Sequence, residues 1–183
     1  AKDINGCIND TSIFVTVWCN PEAKIDPIIP VCQGLQSVFN GNDSDPGSIP
    51  IDSYYWEFGD PFNGTSNLSI DAYIYDTCYP GSYDVILTVS DTNGCTDMDT
   101  SIAIVYCNPI VNFTTTNNRS CLGDTTLFSG FSNITNAPIT SWIWNFGDNP
   151  PGTDIVQNPT YVYSNSGDYQ VCLTVTDTNG CTT

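Results

Sequence analysis

The sequence predicts an all-β chain of tandem β-sandwich repeats stapled by disulfides. Three observations predict it: a strand-forming composition, apolar residues alternating with period two, and long stretches that recur 86 to 88 residues further on. Thr, Val, Ile, Tyr, Asn, Gly and Pro dominate, while Lys and Arg together number 3 of 183 residues. That vocabulary favours pleated strands and tight turns over helices.

The recurrence sets the domain plan. Asn93, Gly94 and Cys95, with the run that ends in Tyr106, Cys107, Asn108 and Pro109, read almost onto Asn5, Gly6 and Cys7 with Trp18, Cys19, Asn20 and Pro21, an offset of 88 residues. Trp56-Glu-Phe-Gly-Asp60 likewise reads onto Trp144-Asn-Phe-Gly-Asp148, and the stretch from Tyr83 to Cys95 onto that from Tyr169 to Cys181. A unit of this length is too long for a solenoid and suits an autonomous sandwich. The expected division is residues 1–18 as the final hairpin and strand of a preceding repeat, 19–106 as a whole repeat, and 107–183 as a second repeat lacking its last strand.

Within each repeat, alternation assigns the strands. Tyr54, Trp56 and Phe58 share one face, as do Trp142, Trp144 and Phe146. Tyr83, Val85, Leu87 and Val89 form a second inward row, matched by Tyr169, Val171, Leu173 and Val175. Asp-Thr-Asn-Gly after each row supplies a tight turn into a last strand over 100–106. Because the neighbours of Trp56 and Trp144 at i±2 are also apolar, both read as core and not as sugar-stacking platforms. Trp18 and Tyr106 are assigned to the seam between repeats.

Charge and inventory exclude several functions. A net charge of -17 repels phosphate backbones and anionic lipid, so nucleic acid is excluded as a partner. The absence of histidine removes the usual general base and zinc ligand. No apolar run reaches about 18 residues, so no membrane insertion is expected, and an export signal is expected outside this stretch. Nine cysteines without a C-x-x-C pair point to disulfides in an oxidising compartment, hence an extracellular or cell-surface location.

The pattern Trp-x-Phe-Gly-Asp, then a Pro and Tyr region at 158–163, then Gly-x-Tyr-x-Val-x-Leu-Thr-Val-x-Asp-x-x-Gly resembles the PKD domain, an immunoglobulin-like sandwich. Pro61 and Asn149 stand where the family usually has Gly after Phe-Gly-Asp, and where the second repeat has Asn165-Ser-Gly the first has Cys78-Tyr-Pro-Gly, within a two-residue insertion that makes the stretch from Tyr75 to Gly81 longer than that from Tyr163 to Gly167. Cysteine-rich arrays of this kind resemble those of large secreted surface proteins of gliding and biofilm-forming bacteria. The resemblance implies a non-catalytic, structural or adhesive stalk. The alternative is a carbohydrate- or protein-binding accessory module of a secreted hydrolase.

The immunoglobulin-like topology that the resemblance implies would nest the disulfides within each repeat: Cys19 with Cys95, Cys32 with Cys78, Cys107 with Cys181, and Cys121 with Cys172. Cys7 would then bond to the preceding repeat. A rival scheme joins Cys32 to Cys95 and Cys121 to Cys181, and spacing alone leaves the choice open.

Other candidates are few. Asp60, Asp148, Asp91 and Asp177 read as turn caps. No motif requires a cofactor; calcium is left open at the acidic loop of Asp43, Asp45 and Asp52, which lacks EF-hand spacing. Sequons stand at Asn9, Asn42, Asn63, Asn67, Asn112, Asn118 and Asn133, and Asp124-Thr-Thr resembles a short O-glycosylation signal centred on Thr125. Expected partners are neighbouring repeats, with further copies in a filament and a surface glycan or protein ligand left open. In a filament, residues 8–18 could complete a neighbour's second repeat by strand addition, although a continuous polypeptide seen through a repeating window is the simpler expectation.

Overall fold

The structure is a computed structural model and describes the chain except residues 1, 3, 7, 9, 80, 117, 118 and 134–136. Strands form where the alternating pattern runs. In the first repeat they are β1 (Val31–Cys32), β2 (Gln36–Asn40), β3 (Ile51–Glu57), β4 (Thr65–Ser66), β5 (Ile70–Ile74), β6 (Ser82–Asp91) and β7 (Thr96–Tyr106). In the second they are β8 (Ile110–Thr115), β9 (Thr125–Asn133), β10 (Ile139–Asn145), β11 (Thr153–Asp154), β12 (Thr160–Val162) and β13 (Cys172–Asp177). β7 begins at Thr96, earlier than alternation suggested, because the turn closes directly onto it.

The first repeat has a sheet ordered β1-β7-β6-β3-β4 and a second, two-stranded antiparallel sheet of β2 and β5. The second has the sheets β11-β10-β13 and β12-β9-β8. The repeats superpose by register: Trp56 lies opposite Leu87 across β3 and β6, and Trp144 opposite Leu173 across β10 and β13.

Each repeat has its own core, built on the same aromatic trio. Phe39, Trp56 and Phe58 are buried in the first, with Phe39 and Phe58 rings 4.9 Å apart, and Phe128, Trp144 and Phe146 in the second, with Phe128 and Phe146 rings 5.2 Å apart. Trp56 and Trp144 are fully buried core residues, and their indole N–H groups donate to the carbonyls of Leu68 at 2.8 Å and Val156 at 2.9 Å. A buried indole needs such a partner, which fixes its rotamer.

The cores differ in closure. β7 lays Ala103 and Val105 over the inward row of β6, leaving Tyr83, Val85, Leu87 and Val89 buried. In the second repeat the corresponding edge of β13 carries, among the described residues, only the bridge between Thr176 and Thr182. Tyr169, Val171 and Leu173 are accordingly half-buried. β1 runs parallel to the end of β7, with Cys32 opposite Tyr106, so Cys32 sits where the chain leaves the first repeat.

Candidate functional site: the seam between the two repeats

The seam is built from two turns whose conformations follow from their sequences. In the second repeat Asp177 Oδ1 accepts the N–H groups of Asn179 and Cys181, both at 2.9 Å, and Gly180 takes φ of 83°. That left-handed conformation is cheap only for glycine. Thr178 N–H donates to the Pro138 carbonyl at 2.9 Å, which anchors this turn at the leading end of the second repeat, beside the start of β10. On the other side, the turn after β1 is closed by Leu35 N–H on the Cys32 carbonyl at 3.0 Å, and Gly34 N–H donates to the Tyr75 carbonyl at 3.1 Å. This places Cys32 at the trailing end of the first repeat, facing Cys181.

Two disulfides join these surfaces. Cys32 bonds Cys181 with Cα atoms 5.6 Å apart, and Cys78, in the loop after β5, bonds Cys107 with Cα atoms 4.9 Å apart. Between them, Gln33 N–H donates to the Tyr106 carbonyl at 2.8 Å and Asn108 Nδ2 to the Gln33 carbonyl at 3.2 Å. The connecting residues are thus held by main-chain and side-chain bonds as well as by sulfur. Tyr106 lies at this seam as expected, whereas Trp18 stays half exposed.

These pairings correct the nested scheme. Cys32 does not bond Cys78, and Cys107 does not bond Cys181; both cysteines of each expected pair bond across the seam instead. The rival scheme fails too: β7 spans 11 residues, about 35 Å at strand rise, and separates Cys95 at its start from Cys32 at its end. Cys19 and Cys95 are unbonded at the leading end, where Cys19 N–H donates to Ser48 Oγ at 3.0 Å and Cys95 N–H to Asp91 Oδ1 at 2.9 Å. Cys121 and Cys172 are also unbonded. Cys172 alternates with the inward Val171 and Leu173 and so points away from the face that Cys121 borders. Cys7 lies outside the described residues.

The three carboxylates of the acidic loop are spent separately. Asp43 stands 3.7 Å from the Lys24 ammonium, Asp45 spends Oδ1 on Gly47 N–H at 2.8 Å, and Asp52 lies on β3. Among the described residues no three acidic or cysteine side chains gather as metal ligands would. Of the sequons, Asn42, Asn63, Asn67 and Asn112 are exposed, as is Thr125. Asn9 and Asn118 lie outside the described residues, and Asn133 ends β9.

Asp60 and Asp148 cap their turns, with a partner that local reading missed. Asp60 accepts N–H groups from Phe62 at 2.9 Å and Gly64 at 2.7 Å, and Asp148 accepts from Gly152 at 2.6 Å and from the Tyr161 hydroxyl. Burial pushes Asp60 up, but the bonds from Gly64, Phe62 and the Tyr73 hydroxyl outweigh it and hold the carboxyl below its ordinary 3.8. The Tyr161 hydroxyl, then Gly152, lower Asp148. Tyr73 is pushed up to about 12 by burial and then by Asp60; Tyr161 reaches about 12 through Asp148. The signal was present: Tyr73 and Tyr161 each follow their aspartate at the same interval.

Comparison with known proteins agrees with this architecture. The model of the PKD domain matches residues 18–105 and again 106–183, so the chain belongs to the PKD domain family, as two adjacent members. It is 47% identical over 45 residues to collagenase ColA of Bacillus cereus, and 36% identical over 69 residues to a microbial collagenase of Vibrio alginolyticus. Those stretches cover 25% and 37% of this chain but only 4% and 8% of the two relatives. Among solved structures it is similar to the PKD1 domain of Vibrio anguillarum Epp, at 25% identity and TM-score 0.43, over 50% of this chain and 99% of that one. The PKD1 domain of the Vibrio cholerae metalloprotease PrtV is 28% identical with TM-score 0.41, over 48% and 99%.

Proposed function

We propose that this chain is a non-catalytic spacer segment of an extracellular or cell-surface protein, in which disulfides fix each repeat to the next. One observation carries the reading: both bonded cysteine pairs bridge the seam and neither closes a repeat on itself. A flexible tether would leave the linker free, whereas a spacer that transmits orientation or load needs its joints held. Disulfides persist outside the reducing cytosol, and the charge of -17 keeps such a surface soluble and poorly adhesive towards nucleic acid and anionic lipid. An adhesive or filament-forming role would belong to the larger protein, with glycans on exposed Asn42, Asn67 or Asn112 thickening the spacer without touching the seam.

Force measurement tests the reading. The Cys32–Cys181 bond shortcuts 149 residues, so oxidised chains pulled by their ends should hide roughly 500 Å of contour that reductant releases. Equal extension with and without reductant would overturn the spacer reading.

The likeness to collagenases and a metalloprotease supports a second reading, an accessory binding module attached to a secreted hydrolase. Binding of the isolated chain to collagen or to a glycan array separates the two. A spacer shows none.

A further inference from the structure

We propose that each repeat carries a one-electron relay, in which an oxidised core tryptophan is repaired by a tyrosine that hands its proton to the turn aspartate: Trp56 draws on Tyr73 and Asp60 in the first repeat, Trp144 on Tyr161 and Asp148 in the second.

The first support is the path. Trp56 and Trp144 are fully buried. In the first repeat the stacked rings of Trp56 and Phe58 lie 6.5 Å apart, and those of Phe58 and Tyr73 4.4 Å apart. In the second the same steps, from Trp144 to Phe146 and from Phe146 to Tyr161, are 6.2 and 4.0 Å. Each column runs on, to Tyr75 and Tyr83 in the first repeat and to Tyr163 and Tyr169 in the second. Phenylalanine is too hard to oxidise to hold the missing electron's place, so it serves as the bridge between tryptophan and tyrosine.

The second support is where a proton can go. A phenol that loses an electron becomes a very strong acid and must give up its proton in the same step, which needs a base within hydrogen-bond reach. The Tyr75 hydroxyl donates to the Phe58 carbonyl at 2.9 Å and that of Tyr83 to the Thr77 carbonyl at 2.6 Å. Tyr163 and Tyr169 donate to the carbonyls of Phe146 at 3.1 Å and Asn165 at 2.7 Å. A main-chain carbonyl accepts a hydrogen bond but does not keep a proton. Among the described residues of the two columns, Tyr73 and Tyr161 alone donate to a carboxylate, and both aspartates are held below their ordinary 3.8 and so are ionised. The indole N–H groups of Trp56 and Trp144 also face carbonyls, so neither tryptophan can discharge its own proton. A glycine clears the site in both repeats: a side chain on Gly64 would strike the Tyr73 hydroxyl, and one on Gly152 that of Tyr161.

The steps balance. An oxidant of the peroxide-derived radical class takes one electron from Trp56. Tyr73 returns that electron across Phe58 while its phenolic proton passes to the Asp60 carboxylate, leaving a neutral phenoxyl and a neutral carboxylic acid. Tyr73 is half-buried, as is Tyr161, so a small donor of the ascorbate class can reach either. The donor gives one electron to the phenoxyl, Asp60 gives back the proton, and the proton that the donor sheds goes to water. The core ring is spared irreversible oxidation, and the radical is moved to a ring that solvent can reset.

The relay goes beyond the spacer reading and lies wholly within each repeat, so it stands whether or not the chain resists force. The test takes the purified chain with Trp18→Phe and Trp142→Phe, leaving the two relay tryptophans. It is flashed with light that tryptophan absorbs and neutral tyrosine does not, with pentaamminechlorocobalt(III) as the irreversible electron acceptor. Radicals are followed by transient absorption and, after freeze-quenching, by electron paramagnetic resonance. Expected is a tryptophan radical that decays as a phenoxyl rises. Tyr73→Phe or Tyr161→Phe alone should remove about half of the phenoxyl, and the two together should lengthen the tryptophan radical's lifetime at least about tenfold. Asp60→Asn with Asp148→Asn keeps both phenols and should slow the transfer by a similar factor, whereas Tyr55→Phe, at an exposed ring outside the columns, should change nothing. The chain with all four tryptophans gives a check that needs no substitution: in heavy water its phenoxyl should couple to one exchangeable deuteron, the one now on the aspartate. A tryptophan radical that persists beside intact Tyr73 and Tyr161, a phenoxyl that survives their joint replacement undiminished, or a phenoxyl without that deuteron overturns the proposal.

Discussion

At the scale of single residues, the clearest device is a carboxylate that closes a turn and receives a distant phenol. Asp60 is buried and satisfied by two backbone N–H groups and Tyr73. Asp60→Ala should cost about 1–3 kcal/mol by leaving those donors unpaired, read as a shifted urea midpoint at unchanged slope. Its depressed pKa fixes the sign of the acid response. The stabilisation is present above the unfolded value of 3.8 and is lost as pH falls through the lower folded value, so thermal stability should drop below about pH 4, and less steeply in Asp60→Asn. Tyr73 works in the opposite direction: its contribution is whole below its unfolded 10.0 and fades as pH rises towards about 12. Phenolate absorbance should therefore show it titrating after the exposed tyrosines. The cap itself was legible in Phe-Gly-Asp, since aspartate bonds its own turn. Its phenol left no local pattern, since the contact crosses a strand and a loop; only the equal interval from Asp60 to Tyr73 and from Asp148 to Tyr161 pointed to it.

At the scale of elements, alternation located β3, β6, β10 and β13 because each buries one face only, so period two is written into the sequence. The short strands β1, β4 and β11 left no such trace, having two residues each. The disulfide partners were illegible for a different reason: a pairing rule drawn from closed single domains cannot see a bond whose other half lies in the next domain. Turn geometry gives a check at this scale. Gly59 has φ of 71°, and a side chain there would run into the Asp84 carbonyl of β6. Gly59→Ala should lose at least about 1–2 kcal/mol, from the left-handed conformation alone. The loss should appear in denaturant titration of the first repeat. Gly123→Ala, with open space around it, should lose less.

At the scale of the whole molecule, stability and joint geometry depend on the same sulfur. In the loop-closure account, a bond with separation of 149 residues lowers the freedom of the unfolded chain by about 5 kcal/mol, and one of 29 residues by about 3.5, each taken alone. Cys32→Ser should thus cost 2–5 kcal/mol in chemical unfolding under non-reducing conditions. Cys172→Ser, at an exposed unbonded position, should shift the midpoint by no more than about 0.5 kcal/mol.

The bond between Cys32 and Cys181 also makes a covalent ring of nearly everything between them. A ring must be cut twice before a piece comes away. An extracellular protease that nicks any one loop inside it, including the sequon-bearing turn at Asn63, leaves the two flanking ends tethered, and only a second cleavage or a reductant lets them part.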